Sequence, residues 1–123
     1  MGKLENNKQQ KRTSLLDTAF KLFTTQGVSK TSIAEISQKA GIAKGTFYLY
    51  FKDKYDIRNK LISHKAGELF SEARNALEAA HITGFTAQLH FIVDNILDRL
   101  ETESNLLGFI SKNLSWGVFK DAF

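Results

Sequence analysis

Residues 31–54 read TSIAEISQKAGIAKGTFYLYFKDK, and this stretch decides the fold. Ser32 and Glu35 have the S-x-x-E spacing of a capping box, in which the serine oxygen takes the amide three residues on and the glutamate returns to the cap's own amide. Ile33, Ile36 and Ala40 then recur at helical intervals, and Gly41 stands where a left-handed residue ends a helix. Ile42 is the apolar plug of the turn. A short third helix is predicted over Lys44 to Tyr50, with Phe47 and Phe51 four apart and facing inward. That leaves Lys44, Gly45, Thr46, Tyr48 and Tyr50 on its more exposed sides.

Upstream, Leu15, Leu16, Ala19, Leu22 and Phe23 form one apolar stripe, so a first helix is predicted from Arg12 to Gln26, stopped by Gly27. The leading MGKLENNKQQKR has no apolar run, and residues 1–11 are expected to be a flexible basic tail. Downstream, Asp53 can cap a fourth helix and Asp56 suits its first turn. Ile57, Leu61, Ile62, Ala66, Leu69, Phe70, Ala73 and Leu77 carry its stripe towards Ala80. His81–Gly84 breaks the pattern. A fifth helix follows with Phe85, Leu89, Ile92, Val93, Ile96, Leu97 and Leu100 on one face, and a sixth over Leu106 to Leu114. The apolar ending SWGVFKDAF suggests a fragment of a longer protein. The expected fold class is all-α, a three-helix helix-turn-helix domain over 12–60 followed by a partial helical domain over 61–123.

Composition agrees with helices. The 123 residues include no proline, and 42% are apolar, ordinary for a globular domain. There is no cysteine, which excludes disulfides and thiolate metal sites. No window approaches the roughly 18 apolar residues of a membrane span. A soluble, cytoplasmic protein is expected. Residues 1–60 hold 12 Lys/Arg against 5 Asp/Glu, a surplus of seven positive charges, whereas residues 61–123 hold 5 against 8, a deficit of three. Only the first half suits a polyanion.

Helix three is too short to bury much surface of its own, yet it presents a lysine, a threonine and two tyrosines, groups that pair with phosphates and base edges. At 1.5 Å per residue it is about 10 Å long, comparable to the roughly 12 Å width of the B-DNA major groove. The residues therefore favour a DNA-binding helix-turn-helix over a plain helical bundle, with a helical protein-interaction module as the alternative.

The run from Leu15 to Leu61 resembles the DNA-binding domain of the TetR family of bacterial transcriptional regulators. The matching segments are LLDTAFKLFTTQG, TSIAEISQKAG and IAKGTFYLYFKDK, with Ile57 and Leu61 behind them. The pattern is a glycine after the first helix, a Thr/Ser-capped second helix, and a G-T-aromatic-Tyr-x-Tyr-Phe third helix followed by lysine. Ala43 departs from it, for the family often has Ser or Thr as the cap of the third helix, and a lost cap typically costs about 1 kcal/mol.

The resemblance implies roles position by position. Lys44, Gly45 and Thr46 would lie in the major groove, Gly45 allowing close backbone approach. Tyr48 would touch bases or sugars, and Tyr50 a phosphate. Lys54 would neutralise a phosphate, and Thr31 and Ser32 would offer further phosphate contacts. Glu35 is read as a cap alone. The implied partners are a double-stranded DNA operator, a small-molecule effector and, in the full-length protein, a second copy of the chain. An effector in the second half would tilt the fourth helix and release a repressor from its operator.

The second half holds six of the ten phenylalanines and the one tryptophan. Phe70, Phe91, Phe109 and Trp116 are the candidates to line an effector pocket, against ordinary core filling. His64, His81 and His90 have no metal spacing, and no metal or cofactor is expected. With no phosphate loop, zinc pair, cysteine nucleophile or triad spacing, an enzyme is not expected.

Overall fold

The computed structural model describes the backbone of residues 2–113 and the side chains of residues 6–113. Within these bounds the chain forms helices α1 (Gly2–Gln26), α2 (Ile33–Ala40), α3 (Lys44–Tyr50), α4 (Lys54–Ala80), α5 (Phe85–Thr102) and α6 (Ser104–Asn113), and no strand. They divide into two compact units, with the boundary between Leu61 and Ile62 inside α4. Among the described residues no helix is long and apolar enough to cross a membrane, and no cluster of His, Asp or Glu could hold a metal ion.

The helix α1 corrects one expectation. It starts at Gly2, ten positions before Arg12, so residues 2–11 of the expected flexible tail are helical. Lys, Leu, Glu and Gln are good helix formers, and extending a helix already nucleated over Leu15–Phe23 is far easier than starting one. The side chains of residues 6–11 are exposed, which explains why no apolar stripe marks them.

The first unit closes around Leu15, Leu16, Ala19 and Phe23 of α1, Ile36 of α2, Phe47 of α3, Phe51, and Ile57 and Leu61 of α4, each at most 5% exposed. The turn between α2 and α3 is built as expected. Gly41 has φ 71°, the left-handed region that disfavours side chains. Its amide donates to Gln38 O at 3.1 Å, and the Ile42 amide reaches back to Ser37 O at 2.9 Å. This pair of bonds is the Schellman closure, and it fixes the direction in which α3 leaves. Asp53 caps α4 by accepting from the amides of Tyr55 and Asp56 at 2.9 and 2.8 Å.

In the second unit Ile62, Leu69 and Ala73 of α4 are buried, as are Leu106 and Phe109 of α6. Arg99 of α5 pairs with Glu72 of α4 and, at 2.9 Å, with Glu103. The apolar stripe of α5 is less covered than its pattern suggests. Phe85, Leu89, Val93 and Leu97 are all exposed, and no residue of α5 is buried. The expected sixth helix starts at Ser104, and its last expected residue, Leu114, lies outside the described residues.

Candidate nucleic-acid interface

The helix α3 has one buried side, and the rest of it faces outward. Phe47 is fully buried, and Phe51 at the end of the helix is nearly so. Their rings lie 5.5 Å apart between centroids. Lys44, Gly45, Tyr48 and Leu49 are exposed, and Thr46 and Tyr50 are half-buried. Both tyrosines are oriented from behind. The Tyr48 ring meets Phe47 edge-on at 5.5 Å, and the Tyr50 ring lies 6.4 Å from Phe51. The first is an edge-on pair and the second a tilted one, and aromatic pairs of this kind favour particular ring orientations. The Arg12 guanidinium and the Lys60 ammonium each lie 5.7 Å from the centre of the Phe51 ring. These are cation–π distances, and they place further positive charge around the end of α3.

One shallow depression collects several of the expected residues. Thr31, Ser32, Lys44, Tyr48 and Lys54 line it, together with Lys30 and Asp53. Gly45, Thr46 and Tyr50 are not in its lining. The depression joins the start of α2 to the exposed side of α3, a surface on which lysines and hydroxyls can follow a phosphate backbone.

Within that depression two expectations change. Thr31 is only 2% exposed, and its hydroxyl donates to Gly27 O at 2.7 Å while accepting from Gln26 Nε2 at 3.2 Å. A hydroxyl with its one proton spent inside the fold is not offered to a phosphate. Lys54 is also turned inward. Its Nζ donates to the carbonyls of Val28, Thr31 and Ser29 at 2.9, 3.1 and 3.3 Å. An ammonium has three protons, and all three are committed to the loop between α1 and α2. Its charge remains in the depression; its donors do not.

Ser32 keeps its expected local role, for its Oγ accepts from the Glu35 amide at 3.0 Å. The return half of the capping box is replaced. The Glu35 carboxylate accepts from Gln26 Nε2 at 2.7 Å, so it ties α2 to the end of α1 rather than capping alone. The same Gln26 nitrogen approaches Lys30 O at 3.1 Å. Gln26 is a structural residue that sequence reasoning missed, because nothing in a glutamine beside a glycine marks a partner nine positions away. Ala43, as expected, supplies no side-chain cap to α3.

The expected effector residues differ in exposure. Phe70 is exposed, Phe91 half-buried and Phe109 buried, while Trp116 lies outside the described residues. A depression on α4 is lined by Ser63, His64, Gly67, Glu68, Ser71 and Glu72, with no aromatic residue among them. His64 Nε2 lies there 3.3 Å from the Glu68 carboxylate, one helical turn on.

Comparison with known proteins agrees with this geometry. Residues 15–61 match the family of bacterial regulatory proteins described as the tetR family. The HTH-type transcriptional regulator AcrR of Shigella flexneri is 42% identical over 59 residues, 48% of this chain and 27% of that protein. The HTH-type transcriptional regulator YuxN of Bacillus subtilis is 29% identical over 111 residues, 89% of this chain and 36% of that protein. A TetR family transcription regulator of Marinobacter aquaeolei has the same fold at a TM-score of 0.78 and 15% identity, covering 96% of this chain and 63% of that one. The chain thus spans 27% to 36% of the length of these curated relatives. With its glycine-turned α2 and α3, its outward Tyr48 and the match over residues 15–61, this N-terminal part of the chain is that of a tetR-family bacterial regulatory protein.

Proposed function

We propose that this chain is the DNA-reading part of a sequence-specific transcriptional regulator, with α3 lying in the major groove of an operator. The observation that carries the reading is the division of α3 into one buried face, held by Phe47, and an outward face bearing Lys44, Gly45, Tyr48 and Leu49. Lys44 and Ser32 meet phosphates, Thr46 and Tyr48 meet base edges or sugars, and the half-buried Tyr50 offers its hydroxyl to a phosphate. Gly45 lets the backbone come close. Lys54 and Thr31 hold the loop behind this face through their hydrogen bonds to its carbonyls. The positive surplus of residues 1–60 supplies the non-specific attraction.

Two copies would place two α3 helices in successive major grooves about 34 Å apart. A regulator seated on those base pairs excludes other proteins from them, which favours repression, with release by a small-molecule effector bound in the second unit.

Titration of fluorescent duplex with the chain at several salt concentrations tests the reading. Binding should weaken steeply with salt, each phosphate contact adding about 0.9 to the log–log slope. Absence of duplex binding at low salt would leave the protein-interaction module as the better account.

A further inference from the structure

Leu49 is 79% exposed. Among the described residues up to Leu61 it is the one large aliphatic side chain left in water, since the other large exposed apolar groups there, Tyr48 and Tyr55, carry hydroxyls. Its position on the helix is as specific as its exposure. At about 100° per residue, Leu49 lies about 200° round α3 from the buried Phe47, at the pole facing directly away from the core. Gly45, one turn earlier, shares that pole. A Cβ built on Gly45 meets nothing within 4 Å, so the chain's own packing does not require a glycine there. Helix propensity argues against one. A bare turn of backbone beside an apolar knob is the shape of a helix that approaches another surface closely and inserts one side chain.

We infer that Leu49 is a specificity-determining residue that reads the C5-methyl group of thymine in the major groove. The inference rests on α3 being the groove-facing helix. On that face Lys44, Thr46 and Tyr48 have hydrogen bonds to give, and Leu49 has none. The thymine methyl is the one apolar feature on the base edges of the major groove. Against a G·C pair the leucine would cover donors and acceptors without pairing them, which is costly. Against an A·T pair it covers a methyl. One position of each half-site is therefore fixed as thymine by apolar contact.

The test starts from duplexes selected out of a random pool by the 123-residue chain. Each thymine of the selected site is then replaced in turn by deoxyuridine, which removes the methyl and leaves the pairing intact. At one thymine per half-site the wild type should lose about fourfold in affinity, the worth of one buried methyl-sized group. Leu49→Ala should bind the thymine and uracil duplexes equally, and Leu49→Met, which keeps an apolar tip, should still prefer thymine. A wild type indifferent to every uracil would overturn the inference, and so would a Leu49→Ala chain with undiminished preference. Failure to select any duplex would instead reject α3 as the DNA-facing helix, and the role of Leu49 with it.

Discussion

The ammonium of Lys54 lies 2.9 Å from the carbonyl oxygen of Val28, 26 positions back along the chain, and holds Ser29 and Thr31 by their carbonyls as well. The first residue of α4 thereby fixes the loop that leads into α2. Removing the cation by Lys54→Met leaves three carbonyls without their partner, and hydrogen bonds to a charged group are each worth about 1.5–3 kcal/mol at most. The loop carbonyls are partly hydrated, so the expected loss is about 1–2 kcal/mol in a urea melt. The salt slope of duplex binding should fall by less than the roughly 0.9 of a phosphate contact, because only the charge lying in the depression is lost. A slope lowered by about one unit with unaltered stability would return Lys54 to the phosphate role that the sequence suggests.

Gln26 and Glu35 form the other tie behind the interface, 2.7 Å apart. Gln26→Ala removes the amide that α2 leans on and leaves a part-buried carboxylate short of a donor. The expected cost is about 1 kcal/mol, with a coupling to Glu35→Ala of about 0.5–1.5 kcal/mol in a double-mutant cycle. Strict additivity of the two substitutions would show that the pair contributes nothing beyond its separate members.

Ala43 opens α3 with φ −61° and ψ 143°, the extended geometry of an N-cap, but no side chain to use it. Ala43→Ser puts an oxygen within reach of the Gly45 and Thr46 amides without moving the backbone. A gain of about 0.5–1 kcal/mol is expected from the urea midpoint. An unchanged or lower midpoint would mean that those amides are already satisfied, the Thr46 amide by its 2.9 Å bond to the Ala43 carbonyl.

The second and third helices were legible because local marks surround them: Ser32 starts α2, Gly41 ends it, and Phe47 and Phe51 orient α3, although Ala43 leaves the start of α3 uncapped. The start of α1 was not legible, since exposed polar residues on a nucleated helix leave no periodic stripe. Thr31 and Lys54 misled for a different reason. Their partners are backbone carbonyls and a loop glycine, and backbone acceptors look alike in any sequence. Leu49 was there to be read. Two residues beyond an inward phenylalanine on a helix is the outward pole, but an aliphatic side chain there carries no hydroxyl or charge to mark it as functional. On α5 the stripe was legible and its covering was not, because a periodic apolar face states only that something should meet it.

Lys44 and Tyr48 line the same depression yet should fail differently when changed. Lys44 is exposed and offers a charge on a flexible stem, which suits a phosphate whatever the neighbouring base. Lys44→Ala should therefore weaken all duplexes by a similar factor and lower the salt slope by about 0.9. Tyr48 has its ring held edge-on by Phe47, so its outer half presents a fixed surface. Tyr48→Ala should leave the salt slope unchanged and relax the preference at one base step, where a good contact is worth about 1–3 kcal/mol. Competition between the selected duplex and a scrambled one, run at two salt concentrations for each variant, separates the two behaviours. If Tyr48→Ala lowered the slope while the preference held, Tyr48 would be a phosphate contact and the reading of bases would rest on Thr46 and Leu49.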